Sequence, residues 1–355
     1  MSQTKINTAL CSFGMSGVLF HAPFIHVHEG FNLYAVWERS KNLAELKYSE
    51  VKTYRTLESI LADKEVELVV VNTPNYTHYD YAKKALLAGK HVIVEKPFTV
   101  TVLEGEELIK IAETQNRLLS VYQNRRYDSD YKTVKKIIET GWLGDIVEVE
   151  IHYDRYKEEL SPKVHKEIPG PGRGALYDLG SHLIDQALQL FGMPQAVFAD
   201  IQIIRPVSQV DDFFDLLLFY PRLRVRLKSS YLVREALPGY VAHGSKGSFI
   251  KHKTDVQENA LMAGQIPGKP DWGTEPDGER GLLHTEKDGT VIKEYIPSLQ
   301  GNYMDYYDGI YEAIRNGAPV PVTAEDGLNV IRIIDAAFKS SDEKRVIELD
   351  RFKIA

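Results

Sequence analysis

Apolar residues fall in short continuous runs over the first 125 or so positions, and alternate with polar ones from about residue 145. Glu67–Thr73 is the clearest run, with β-branched residues at its centre. Such runs belong to strands covered on both faces of a parallel sheet. Ile6–Phe13, Phe31–Trp37, Val51–Tyr54, His91–Glu95 and Leu118–Tyr122 read as strands as well. Between them the pattern predicts helices over Val18–Val27, over Thr56–Asp63 with Thr56 as N-cap, over Tyr76–Ala88 closed by Gly89, and over Glu104–Gln115. Strands alternating with helices predict a doubly wound α/β domain, in which ligands sit beyond the carboxyl ends of the strands. The residues directly after each strand therefore carry the most information about function.

In the later pattern, Ile146–Tyr156 sets Val147, Val149, Ile151 and Tyr153 against Glu148, Glu150, His152 and Asp154. Period-two alternation implies one wet face and hence an antiparallel sheet. Val197–Ile204, Phe213–Phe219, Leu223–Leu232 and Tyr240–His243 are further strands, with turns at Pro221-Arg222 and Gly244-Ser245. A helix over Gly174–Phe191 interrupts them, Asn259–Glu279 reads as a long loop, and helices over Tyr303–Asn316 and Ala324–Ser340 close the chain. This predicts a second, α+β domain with a mostly antiparallel sheet and helices to one side. The domains are expected at 1–125 and 126–355, with the closing helices free to pack back on the first. A length of 355 residues agrees with two domains of roughly 150 residues each, or somewhat more.

Composition narrows the function classes. The net charge is −7, from 43 basic and 50 acidic residues, with no basic cluster, so nucleic acid is not an expected partner. The single cysteine, Cys11, lies in a predicted strand and reads as a buried, inert thiol. Met1–Lys5 has no apolar leader, and no run approaches a membrane span; a cytoplasmic protein without membrane contact is expected.

The turn after the first strand, Ser12-Phe13-Gly14-Met15-Ser16-Gly17, holds the second and third glycines of the G-x-G-x-x-G dinucleotide fingerprint, with Ser12 in place of the first. Gly14 fills the position that lets backbone approach the pyrophosphate. That context makes the first domain a Rossmann-type sheet. Glu38 stands at the end of the second strand, roughly 20 residues beyond Gly17, where an acid would hold the adenosine ribose hydroxyls. Arg39, Ser40 and Lys41 follow it and suit a 2′-phosphate. NADP and NAD both remain open, with the balance toward NADP.

Glu95-Lys96-Pro97 ends a strand in the half of the sheet where a substrate belongs. A lysine there can donate a proton to a carbonyl oxygen or take one from an alcohol. On a helix over Gly174–Phe191, Leu176, Leu179, Leu183, Ala187 and Leu190 share a core face, while Asp178, His182, Asp185 and Gln189 share a polar one suited to proton relay. No spacing of Asp, His or Cys supports a metal site; the His26-Val27-His28 pair lacks partners.

Taken together these residues resemble the Gfo/Idh/MocA oxidoreductase family nearly end to end. The match runs through Gly14-x-x-Gly17, Phe20-His21-Ala22-Pro23, Asn72-Thr73-Pro74-Asn75-x-x-His78, Ala88–Pro97, Tyr122–Arg126 and Gly174-x-x-x-Asp178-x-Gly180-x-His182-x-x-Asp185. Within the family, Ser120–Arg126 and Leu176–Gly192 look most like scyllo-inositol dehydrogenases that prefer NADP. The resemblance implies a catalytic trio of Lys96, Asp178 and His182, a cofactor wall of Thr73, Pro74, Asn75 and His78, Glu95 and Gln123 near the nicotinamide ribose, and Asn124 at the substrate mouth, with Tyr153 a further substrate contact. It also implies a cis peptide before Pro97, and homodimers or homotetramers built on an open second sheet. Two positions depart from the family pattern: Ser12, and His165 where relatives carry an aromatic-basic stretch. The expected activity is NAD(P)-dependent interconversion of a secondary alcohol and a ketone on an inositol- or sugar-like substrate. The alternatives are a reductase of another small carbonyl or anhydro-sugar, and a dinucleotide-sensing regulator; Lys96, Asp178 and His182 together argue against the latter.

Overall fold

The computed structural model describes residues 4–161 and 164–349, without the side chains of Val164 and His165, so the departure at His165 lies outside the described residues. The chain divides into two compact units. The first comprises Met1–Asn124, Val256–Trp272 and Asn302–Leu328; the second comprises Arg125–Asp255, Gly273–Gly301 and Asn329–Ala355.

In the first unit, β1 (Ile6–Leu10), β2 (Phe31–Trp37), β3 (Lys52–Tyr54), β4 (Leu68–Val71), β5 (His91–Glu95) and β6 (Leu119–Tyr122) form a parallel sheet in the order β3-β2-β1-β4-β5-β6. All four residues of β4 are fully buried, as expected of a strand covered on both faces. The helices Leu57–Ala62 and Val102–Gln115 begin where the sequence provides side-chain caps. Thr56 accepts the Ser59 N–H at 3.2 Å, and Thr101 with Glu104 forms a capping box at the head of Val102–Gln115. The chain order reverses between β1 and β4, which is where such sheets bind ligands. The helix Met304–Asn316 also belongs to this unit; Tyr306 and Tyr307, with Tyr303 just before it, pack on Phe24, Phe31 and Tyr122.

In the second unit nine strands form one mixed sheet: β7 (Ile146–His152), β8 (Ala196–Gln202), β9 (Phe213–Phe219), β10 (Arg224–Ser230), β11 (Tyr240–Gly244), β12 (Gly247–Lys251), β13 (Gly281–Lys287), β14 (Thr290–Ile296) and β15 (Ile347–Glu348). Their order is β14-β13-β12-β11-β7-β10-β9-β8-β15. Pairing is antiparallel throughout except between β7 and β10, which run parallel, so the antiparallel reading of Ile146–Tyr156 holds on its β11 side only.

Several stretches differ from expectation. Asn259–Glu279 is not one loop: the helix Val256–Met262 enters it, and Asp277–Glu279 forms a 3-10 turn. The helix Ser129–Glu139, buried through Tyr131, Val134 and Ile137, and strands β12 to β15 were not anticipated. The helix over Gly174–Phe191 is π-helical over Leu176–Gly180 before it becomes α-helical over Ser181–Phe191. Among the described residues no helix is long and apolar enough to cross a membrane.

Candidate active site

Where β1 ends, the backbone turns sharply into the π-helical segment Gly17–His21. The Ser12 hydroxyl accepts the Gly14 N–H at 3.0 Å and so ties the turn that the first fingerprint glycine would otherwise make. The Ser12 carbonyl accepts the Asn72 amide at 2.8 Å. A Cβ on Gly17 would stand 2.4 Å from that carbonyl and 2.9 Å from the Asn72 amide nitrogen, so only glycine allows β1 and the end of β4 to close here. Gly14 and Met15 are exposed at the rim, Ser16 is half-buried, and Phe13 is buried beneath it against Tyr48. Cys11, directly after β1, is buried, and burial raises its thiol pKa to about 12.

Lys96 and Gln123 follow neighbouring residues, because Glu95 of β5 pairs with Tyr122 of β6. The Lys96–Pro97 peptide is cis. Glu95 is the best-held side chain at this edge. It accepts from the Ser16 hydroxyl, from His21 Nε2 at 3.0 Å, and from the Lys96 backbone N–H at 3.1 Å. Burial alone would raise its pKa, but His21, Ser16 and the Lys96 charge outweigh it and hold the carboxyl at about 2. His21 is in turn fixed by the Tyr307 hydroxyl, 2.7 Å from Nδ1. His78 lies between the carbonyls of Pro97 and Thr73, each 2.9 Å from a ring nitrogen. Burial lowers its pKa below the usual value, against the opposing pull of those carbonyls, and the ring bridges the ends of β4 and β5. Thr73 is bonded to Thr77 at 2.6 Å, Pro74 is exposed, and Asn75 opens the 3-10 turn Asn75–Thr77.

Glu38 behaves differently from its expected part. Its two oxygens accept the N–H groups of Leu43 and Ala44, at 3.1 and 2.9 Å, at the head of the short helix Leu43–Lys47. The carboxylate is buried there, while Arg39 and Ser40 are exposed. The residues present fit a dinucleotide in two respects: the Gly14–Gly17 turn keeps side chains away from the backbone, and buried polar groups at the strand ends lack partners. Gln123 is 1% exposed with neither amide atom hydrogen-bonded, and Asn72 Oδ1 is in the same condition. Native structures leave few such groups, and those they leave call for a ligand or water. Asn72 and His21 are the residues that sequence reasoning quoted in motifs without assigning to the site; their place directly after β4 and in the turn helix was the available signal.

In the second unit, Asp178 lies in the π-helical segment Leu176–Gly180, and His182, second in the helix Ser181–Phe191, is 5% exposed. Asp211 caps this segment by accepting the Leu176 N–H at 2.8 Å, and Gly174 (φ +97°) leaves it room. Lys166 reaches both oxygens of Asp178 at 2.9 Å. Asp185 does not continue a relay: Arg126 grips it with two bonds of 2.7 and 2.5 Å, and Gln189 faces solvent. Asn124, in the first unit, is buried at the start of a 3-10 turn. Tyr153 follows β7, and Arg125, Arg155 and Lys253 lie 5.4, 5.1 and 4.7 Å from its ring centre. Among the described residues no group of three or more His, Cys, Asp or Glu side chains is arranged to hold a metal.

The fold and the turn define an oxidoreductase with a Rossmann dinucleotide domain. Residues 6–123 match the family model described as the NAD-binding Rossmann fold of the oxidoreductase family, and residues 135–349 match its C-terminal alpha/beta domain. The chain belongs to the Gfo/Idh/MocA family of oxidoreductases. It is 42% identical to scyllo-inositol 2-dehydrogenase (NADP(+)) IolW of Bacillus subtilis (strain 168), covering 97% of this chain and 96% of that protein. Among solved structures, the oxidoreductase YvaA of Bacillus subtilis superposes with a TM-score of 0.94 at 41% identity, covering 99% of this chain and 100% of that one. An oxidoreductase from Bacteroides fragilis gives 0.90 at 48% identity, covering 97% and 100%.

Proposed function

We propose that the protein interconverts a secondary alcohol and a ketone on an inositol- or sugar-like substrate, using NADP in preference to NAD. The observation that carries this reading is the carboxyl edge of β5 and β6, where Lys96 and the unpartnered amide of Gln123 follow a paired Glu95 and Tyr122. The turn Ser12–Gly17, with Thr73, Pro74, Asn75, His78, Glu95 and Gln123, would hold the dinucleotide, whose nicotinamide supplies the hydride acceptor or donor when bound. Lys96 takes the proton from the substrate hydroxyl in oxidation and returns it in reduction. Asp178 orients the reacting hydroxyl, His182 shares its proton, and Asn124 and Tyr153 contact the substrate. The 42% identity to a protein named for scyllo-inositol and NADP supports an inositol-like substrate. Exposed Arg39 and Ser40, beside a Glu38 already bonded to backbone, support the 2′-phosphate. The experiment is nicotinamide absorbance with NADP or NAD against inositols, aldoses and anhydro-sugars. Turnover of scyllo-inositol, faster with NADP, is expected. No turnover of any polyol by protein that binds NADP tightly would refute the reading.

A further inference from the structure

We propose that Arg205 is a positioning residue: it fixes the short helix Val164–Glu167 so that Lys166 holds Asp178 in the orientation the reaction requires. The inference rests on the function proposed above for Asp178. Arg205 follows β8, and its side chain is 1% exposed. Such a buried guanidinium is tolerated only when its donors are met, and its planar fork fixes the direction of each partner. Nε donates to Asp212 at 2.7 Å, Nη2 to Glu167 at 3.1 Å, and Nη1 to the Glu159 carbonyl at 2.8 Å, while the guanidinium lies 4.8 Å from the Tyr231 ring centre. The partners are themselves locked. Glu167 also accepts the Ser161 N–H at 2.7 Å, and Asp212 accepts the Ile204 N–H at 2.7 Å. One buried cation thus joins Glu159, Ser161 and Glu167 to the start of β9.

Asp211 and Asp212 are adjacent and serve two sides of one arrangement. Asp211 accepts the Leu176 N–H and so anchors the segment that carries Asp178; Asp212 anchors Arg205 and, through Glu167, the turn that carries Lys166. Their shared backbone sets where Lys166 meets Asp178. The pair itself is weakly buried, with side chains 41% and 27% exposed, and a pair of that exposure contributes little by itself. Its geometry, 2.9 Å to each carboxylate oxygen, is therefore imposed by the buried network rather than by the attraction between the two charges.

The test compares Arg205→Lys, which keeps the charge and loses the fork, with Arg205→Gln, Lys166→Met and Lys166→Arg. Hydrogen exchange of the Ser161 amide, measured without substrate, is expected to speed up about tenfold in both Arg205 variants while β1 to β6 stay unchanged. With scyllo-inositol and NADP, Lys166→Met and Arg205→Lys are expected to lower kcat about tenfold at unchanged NADP affinity, and Lys166→Arg to restore most of it. Wild-type exchange at Ser161 in both Arg205 variants, or wild-type kcat in Lys166→Met, overturns the proposal. Inactivity of the unaltered protein on every polyol would instead count against the proposed function, and the exchange result would still decide whether Arg205 holds this turn.

Discussion

Lys96 follows a strand buried from Val92 to Glu95, and its backbone N–H is bonded to a carboxylate that is itself bonded to Ser16 and His21, so the base of its side chain is placed by covalent neighbours rather than by its own charge. Removing the side chain should therefore leave the turn intact. Lys96→Ala is expected to lower kcat by about 10² to 10⁴, the range for losing a general acid or base, with the NADP dissociation constant nearly unchanged; wild-type turnover would refute its role. Arg39→Ala should weaken NADP by about tenfold, as for one charge-assisted contact, and leave NAD unaffected in parallel fluorescence titrations; equal losses would place Arg39 away from the 2′-phosphate. Glu95 makes a separate prediction about pH. Its folded value near 2 lies below the unfolded value of 4.5, so the stabilisation is complete above about pH 4.5 and is lost as pH falls toward 2. It amounts to something on the order of 3 kcal/mol. Urea midpoints should consequently fall less steeply from pH 5 to pH 3 in Glu95→Gln than in the unaltered protein.

Strands β2, β5 and β9 were legible to the residue because each is a contiguous apolar or alternating run bounded by polar turns. β13 and β14 were not, since Thr290–Ile296 is mostly exposed and its apolar residues fall in the adjacent pairs Val291-Ile292 and Tyr295-Ile296, without period-two alternation. Yet the hairpin left a mark: Asp288 and Gly289, with φ of 52° and 76°, form the two-residue link between Lys287 and Thr290, and Asp-Gly is the preferred pair for such a turn. The positions of Lys96 and the glycine turn were legible because strand ends locate ligand sites in this class of sheet, whereas Gln123 came only with the family resemblance. What Glu38 and Asp185 bond to was not, because the Leu43–Lys47 helix head and Arg126 reach them only in the fold. The glycine turn is where element geometry makes the sharpest prediction. A methyl group at Gly17 would meet the Ser12 carbonyl carbon at 3.3 Å and its oxygen closer still, which no side-chain movement relieves. Gly17→Ala should cost at least about an order of magnitude in NADP affinity, since the turn must open to admit it; unchanged affinity by calorimetry would show that the dinucleotide does not use this turn.

At the scale of the whole chain, periodicity identifies two kinds of sheet but carries no information about which unit a later segment joins. Val256–Trp272 and Asn302–Leu328 return to the first unit. Their contribution is chemical as well as topological: Tyr307 sets the ring of His21, which holds Glu95, and the Tyr306 hydroxyl bonds to Ser120 of β6 at 2.8 Å. Phe24, Phe31 and Tyr122 are at most 1% exposed, and the rings packed on them come from Tyr303, Tyr306 and Tyr307. Each ring buried contributes about 1.5–3 kcal/mol, so uncovering three of them costs an amount comparable with the entire stability of a domain, about 5–15 kcal/mol. A fragment ending at residue 125 contains every strand of the parallel sheet and both fingerprint glycines, yet lacks the cover. It is expected to show no cooperative thermal transition and no NADP binding, whereas the same fragment joined by flexible linkers to 256–272 and 302–328 should recover both. A stable, NADP-binding fragment 1–125 would show that the sheet and its own helices suffice, and that the aromatic layer serves only to place His21 and Glu95.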